Sequence, residues 1–212
     1  MHSLFDYQWK FPADDDFYRE GHRLVAGVDE VGRGALAGPV VTAAVILDPG
    51  RPVEGIRDSK QLTPSRREVL AAEIVLRATA WSVDFAGNEE VDRLNVLEAT
   101  RCSMTRAVGN CPVRPDVVLV DAVRLEGLSM PSFSMVRGDE LSLNVAAASI
   151  VAKVTRDRWM TEVASQYPGY GFEVHKGYGT ARHLAALKRL GPCPLHRRTF
   201  RPVAGMACYG SR

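Results

Sequence analysis

Two adjacent carboxylates, Asp29 and Glu30, follow a short apolar run and precede Gly32-Arg33-Gly34. Asp121 closes the apolar run Val117-Val118-Leu119-Val120, and Asp139 follows Arg137-Gly138 just ahead of a long Ala-rich stretch. Carboxylates gathered in one place repel each other and hold protons more tightly. A divalent cation offsets that repulsion, and an all-oxygen donor set suits Mg2+ or Mn2+. The chemistry these residues imply is the binding of a divalent metal ion. Taken singly, each acid has an ordinary explanation: a solvated hairpin for Asp29 and Glu30, a strand cap for Asp121, a helix N-terminal stabiliser for Asp139. Their shared placement at strand and loop ends, which can converge on one edge of a sheet, makes them candidates as a set. Neighbouring side chains on a regular strand point to opposite faces, so Asp29 and Glu30 share a site only if the strand ends there. Gly32 and Gly34 permit such a turn, and Arg33 offers a planar fork suited to phosphate or carboxylate.

The elements that must position these acids read as an alternation. Arg23–Val28 and Val40–Leu47 are expected to be strands, joined through the Gly32-Arg33-Gly34 turn. Asp58–Leu62 reads as a polar loop. A helix is expected to start at Thr63-Pro64, an N-cap followed by a residue tolerated in the first turn, and to run to about Ala80. Trp81–Ala86 reads as a strand, Asn95–Val108 as a helix, Val117–Val120 as a strand ending on Asp121, and Pro131–Val136 as a short extended piece. Leu143–Gln166 is expected to be a long helix, and Thr180–Leu190 a helix capped by Thr180 and ended by Gly191. Strands interleaved with helices indicate an α/β domain on a mixed sheet. The glycines at 32, 34 and 38 do not have dinucleotide-loop spacing, and β-branched residues follow where a helix would have to begin, so a nicotinamide enzyme is disfavoured.

At 212 residues, 46% hydrophobic and 25% charged, the chain suits one globular domain with extensions. The expected division is an N-terminal arm at 1–21, a catalytic domain with C-terminal helices at 22–190 and a basic tail at 191–212. A net charge of +2 and a pI near 8.4 do not announce a nucleic-acid binder, so any basic surface must come from local clustering. Cys102, Cys111, Cys193 and Cys208 form no Cys-x-x-Cys pair and read as free thiols. The first ten residues hold no apolar run and no long apolar stretch follows, so a soluble, cytoplasmic protein without a membrane contact is expected, a monomer by default. Asp116, Asp92 and the Asp14–Asp16 run read as surface, Arg156 and Asp157 as structural.

Five segments together resemble ribonuclease HII: Asp29-Glu30-Val31-Gly32-Arg33-Gly34, Asp58-Ser59-Lys60, Arg137-Gly138-Asp139, Ala146 through Asp157, and His175-Lys176-Gly177-Tyr178-Gly179-Thr180. Their order and spacing fit, and the likeness runs from about Leu24 to Pro202. The related ribonuclease HIII usually carries a sizeable extra N-terminal domain, whereas a short arm precedes the motif here. The resemblance implies a ribonuclease H-like mixed β-sheet flanked by helices, with a helical C-terminal extension. It implies an endonuclease that hydrolyses the RNA-containing strand of RNA–DNA hybrids, also 5′ of single ribonucleotides in duplex DNA, giving 3′-hydroxyl and 5′-phosphate ends by two-metal catalysis with Mn2+ or Mg2+. Asp29, Glu30, Asp121 and Asp139 would be both the catalytic and the metal-binding residues, with Asp29 bridging the ions. The Gly32-Arg33-Gly34 backbone would contact the ribose 2′-hydroxyl, the group that separates RNA from DNA. Tyr178 would pack on the sugar at the RNA–DNA junction, and Lys60, Arg137, Lys153 and Lys176 would contact phosphates. His196-Arg197-Arg198 with Phe200 resembles a basic C-terminal segment that either touches the duplex or packs. A replication clamp is a conceivable partner that the residues do not reveal. The alternative is a nucleic-acid-binding module without activity, against which the four carboxylates argue. The chain departs from the family pattern at Gln61, Ala122, Arg137 and Asn144, and none of these departures removes a carboxylate.

Overall fold

The computed structural model describes residues 12–56 and 62–206. Its centre is a five-stranded sheet ordered β3-β2-β1-β4-β5. The strands are β1 (Val25–Val31), β2 (Val40–Ile46), β3 (Ala80–Ala86), β4 (Val117–Asp121) and β5 (Ser132–Met135). β1, β2 and β3 form an antiparallel meander, while β4 and β5 add in parallel beside β1, so the sheet is mixed as expected. Both faces are covered. Ala26 and Val28 of β1 and Ala44 and Ile46 of β2 pack with Met104 and Ala107 of helix α4 (Val96–Gly109). On the other face, Ala43 and Val45 pack with helix α6 (Leu143–Val163) and with Leu70 and Ile74 of helix α2 (Pro64–Arg77).

The long helix α6 is the element that sets the depth of the site. Its alanines at 146, 147, 148 and 152 are all fully buried, and small side chains let the helix press onto the sheet. At Gly27 in β1, an added Cβ would collide with backbone atoms of Asn144 and Val145, so only glycine admits the first turn of α6 there. The N-terminus of α6 is held from an unexpected side. Asp14, in helix α1 (Pro12–Arg19), is buried and accepts bonds from Ser142 Oγ, Leu143 N and Asn144 Nδ2. The reading of Asp14–Asp16 as surface therefore fails at Asp14, whose carboxylate caps a helix 128 residues away in sequence. Burial raises the Asp14 pKa against these bonds.

Caps behave as the residue types dictate: Thr63 accepts from Arg66 N, Asn95 from Leu97 N and Glu98 N, and Thr180 from His183 N ahead of helix α8 (Ala181–Leu190). Four short helices were not expected: α1, α3 (Asn88–Leu94), α5 (Gly138–Leu141) and α7 (Phe172–His175). Cys102, Cys111 and Cys193 are free thiols, and Cys208 lies outside the described residues. Among the described residues, no helix is long and apolar enough to cross a membrane.

Candidate active site

The strand β1 does not end at Asp29. Its antiparallel pairing with β2 continues through Glu30↔Thr42 and Val31↔Val41, while its parallel pairing with β4 stops at Val28↔Val120. Asp29 and Glu30 thus stand beyond the last rung on one side only, next to Asp121 at the end of β4. That one-sided opening lets both acids of the pair serve one cleft. Asp121 Oδ1 accepts from Gly138 N at 2.7 Å, which ties the end of β4 to the start of α5 and sets Asp139 alongside.

A cleft of about 360 Å³ results, lined by all four carboxylates and also by Gly32, Arg33, Arg67, Ser149, Lys153 and Tyr178. Asp29 is buried, accepts from Glu30 N at 2.7 Å and bonds to Ser149 on α6. Its proton affinity lies well above that of a free carboxyl, first because it is buried and next because Glu30 and then Asp121 are close. Glu30 is shifted upward too, chiefly by burial, against the pull of Arg33, whose Nη1 lies 3.1 Å from Glu30 Oε1. Glu30 Oε2 is buried with no hydrogen-bond partner. A crowded, desolvated carboxylate set with an unmatched oxygen suits a hard divalent cation. Among the described residues the acids do not stand as a ready-made cage of three or more ligands.

The loop after the acids is built around Gly32, at φ +94°, where a Cβ would run into the Arg156 side chain and Pro39 O. Two buried guanidiniums hold it. Arg197 donates to the carbonyls of Gly32 (2.8 Å), Arg33 (2.7 Å) and Gly38 (2.9 and 3.1 Å). Arg156 donates to Pro39 O, Ala37 O and Lys176 O. The C-terminal segment therefore packs at Arg197 rather than reaching into solvent. Gly177 O accepts from Leu36 N at 2.8 Å, joining this loop to the one that carries Tyr178. Tyr178 is half-buried beside Lys153 and Arg156, with Arg156 Cζ 5.3 Å from its ring centre.

Not every residue singled out in the sequence reaches this cleft. Gly34 lies exposed on the loop next to it, with open space where a Cβ would stand. Arg137 is exposed, left-handed at φ 58° and paired with Glu140 at 3.1 Å. Lys176 Nζ is engaged by Thr161 Oγ1 and Glu173 O, both at 2.6 Å. Lys60 lies outside the described residues, as does the rest of the Asp58–Gln61 segment. Conversely, Ser149 and Arg67 line the cleft although the sequence reading passed over them. Ser149 stands one helical turn before Lys153, so its place on the same face of α6 was available from spacing.

A sequence profile of the family described as ribonuclease HII matches residues 26–203. The chain belongs to the ribonuclease HII family. A ribonuclease HII of Paracidovorax citrulli (strain AAC00-1) is 57% identical over 181 residues, covering 85% of this chain and 75% of that protein. Among solved structures, ribonuclease H2 from Pyrococcus horikoshii OT3 superposes with a TM-score of 0.72 at 28% identity, covering 85% of this chain and 95% of that one. The ribonuclease HII of Archaeoglobus fulgidus, solved as a complex with PCNA, gives 0.70 at 25% identity, covering 84% and 95%. As a ribonuclease HII family member the chain is an endoribonuclease acting on RNA–DNA hybrids, in a family that uses divalent metal ions.

Proposed function

We propose that this ribonuclease HII family member nicks the RNA-containing strand of RNA–DNA hybrids and also cuts 5′ of a single ribonucleotide embedded in duplex DNA, leaving 3′-hydroxyl and 5′-phosphate ends. The observation that carries the reading is the meeting in one cleft of four carboxylates, the Gly32-Arg33 turn and Tyr178. Two divalent ions, Mg2+ or Mn2+, held by Asp29, Glu30, Asp121 and Asp139 would supply Lewis acidity at the scissile phosphodiester. Ser149 steadies the Asp29 carboxylate, and the Arg33 guanidinium holds Glu30 at the cleft wall.

Recognition of RNA falls to the loop fixed by Arg197. With the carbonyls of Gly32 and Arg33 engaged from below, the backbone is rigid, and the absence of side chains at Gly32 and Gly34 lets a ribose 2′-hydroxyl approach it. Tyr178 packs on the sugar at the junction. Lys153 and Arg67 on the cleft wall are placed to meet phosphates, with Arg137 and Lys176 further out. The Archaeoglobus complex makes a sliding clamp the partner to test first.

The reading is tested by incubating the protein with a DNA duplex carrying one ribonucleotide, with Mg2+ or Mn2+, beside Asp29→Asn. A nick 5′ of the ribonucleotide, absent in the variant and under chelation, supports it. Intact duplex with folded, metal-loaded protein that still cleaves a long hybrid would remove the single-ribonucleotide activity.

A further inference from the structure

Below the Tyr178 loop lies a group of buried imidazoles that the proposed chemistry leaves unused. His183, in the first turn of α8, and His196 are both fully buried. Their Nε2 atoms are 3.1 Å apart. His183 Nδ1 is 2.9 Å from Tyr178 O, and His196 Nδ1 is 3.0 Å from Cys193 N.

Cys193 Sγ also lies 3.1 Å from His196 Nδ1, and its thiol, pushed up to about 11 by burial, can donate to that nitrogen. The two ends of the chain then select one arrangement of its protons. A backbone N–H only donates, so His196 Nδ1 must accept from Cys193 N and carries no proton. This overrides the alternative in which that nitrogen donates to Cys193 O at 3.3 Å. Neutral His196 is then protonated on Nε2 and donates to His183 Nε2, leaving the His183 proton on Nδ1. That proton points at a carbonyl, which only accepts. Starting instead from Tyr178 O gives the same assignment in reverse. Both imidazoles are held neutral, their pKa values pushed down to about 4, first by burial.

The far end of this relay is the backbone of the residue that faces the cleft. Tyr178 follows Lys176 at φ 52° and Gly177 at φ 82°, two consecutive left-handed residues. A loop with that geometry persists only where its surroundings over-determine it. Thr180 N and His183 Nδ1 both donate to Tyr178 O, and His175 O accepts from Tyr178 N.

We propose that His183, oriented by His196, is a positioning residue that holds Tyr178 in place for the ribose at the RNA–DNA junction. The inference rests on the reading of Tyr178 as the residue that packs on that sugar. It does not make either histidine a catalytic group, because neither lines the carboxylate cleft.

The test is a double-mutant cycle on a duplex with one embedded ribonucleotide, using Tyr178→Ala, His183→Phe and the double variant. His183→Phe is expected to lower kcat/KM about five- to tenfold, the loss of one buried hydrogen bond. It should cost nothing further in the Tyr178→Ala background. Independent, multiplying losses would overturn the relay and leave the reading of Tyr178 standing. An undiminished rate in Tyr178→Ala would overturn that reading and the relay's role with it. Should His183→Phe fail to fold, a second pair decides. His183→Asn retains a donor near Nδ1 and should keep most of the activity, whereas His183→Gln lacks it and should not; equal losses in the two overturn the proposal. Imidazole 15N spectra of the wild-type protein should show the Nδ1–H form at His183 and the Nε2–H form at His196, and the opposite tautomers would also overturn it.

Discussion

Replacing Arg197 with methionine tests whether a buried cation organises the substrate loop. The side chain is fully buried, and its guanidinium donates four bonds to three carbonyls, those of Gly32, Arg33 and Gly38. Methionine fills a similar volume and donates nothing. Each buried acceptor left without a partner costs about 1–3 kcal/mol. Against that stands a gain, since the guanidinium is buried without a carboxylate in contact and its own desolvation cost disappears. Its pKa is drawn down first by burial and then by the charge of Arg156. Gly32 O keeps a bond from Ala35 N at 3.2 Å, so the carbonyls of Arg33 and Gly38 are the two that lose their donor. The low end for each gives a loss of about 2 kcal/mol before that gain. For a chain of this size such a loss lowers Tm by roughly 4–8 °C. Loss of the contact over Phe200, 5.0 Å from Arg197 Cζ, pushes in the same direction. Calorimetry of the wild type, Arg197→Met and Arg197→Lys should place the lysine variant between the other two, since an ammonium reaches some of the carbonyls but not all. Nicking of a single-ribonucleotide duplex, measured where all three are folded, should fall more than about tenfold in Arg197→Met if, as proposed, the loop backbone meets the sugar. A methionine variant as stable and as active as the wild type would refute the reasoning, since the carbonyls of Arg33 and Gly38 would then have to be satisfied in some other way.

Other substitutions probe the remaining supports. Asp29→Asn should cut hydrolysis by at least about a hundredfold while raising the Tm of metal-free protein, because it removes one charge from a crowded, buried set; equal Tm values in differential scanning would contradict the crowding. Mg2+ or Mn2+ should raise the wild-type Tm and chelation should reverse it, and the rise should shrink in that variant. Ala122 sits at φ 51° just after Asp121, so Ala122→Gly should stabilise by about 1 kcal/mol in urea unfolding without loss of activity. His183 and His196 titrate near 4 in the fold and near 6.5 when unfolded. Above pH 6.5 both states are neutral and the stability is fully present. From there down to about pH 4 the unfolded chain binds protons that the native imidazoles refuse. Stability should therefore fall through that window, by roughly 3 kcal/mol for one imidazole, and His183→Asn should flatten the pH profile of urea unfolding.

What the sequence revealed depended on whether a residue type carries its own meaning. The Asp29-Glu30 pair and the acids at 121 and 139 stood out because clustered carboxylates are costly without a cation. Helix α2 began where Thr63-Pro64 announced it, α4 where Asn95 caps it, and α8 between Thr180 and Gly191. The short helices were illegible for a physical reason: four to eight residues hold too little periodicity, and their turns are stabilised by tertiary contacts rather than by propensity. Arg137 and Gly171, both left-handed, precede α5 and α7, a start that no common cap signals. Asp14 looked like one of three solvated acids because only the fold brings it to the α6 terminus. Arg156 was read as structural and is buried, but its partners, like those of Arg197, were not legible, since a guanidinium that bonds backbone carbonyls has partners with no residue type to read.

That last feature bears on how the carboxylates stay available. A buried arginine is ordinarily neutralised by an acid, and a protein with four acids at the end of its sheet had such partners to hand. Here the two largest fully buried side chains are Arg156 and Arg197, and their hydrogen bonds go to main-chain carbonyls instead. Among the cleft acids, Glu30 pairs with Arg33, an arginine that is partly exposed. Had either buried cation sat against Asp29 or Asp121, it would have relieved their mutual repulsion and competed with a divalent ion for the same oxygens. Directing both cations to the Gly32–Pro39 backbone ties the loop down and keeps these two guanidiniums off the acids. The same segregation therefore serves the surface that would read the sugar and the cleft that would hold the metal.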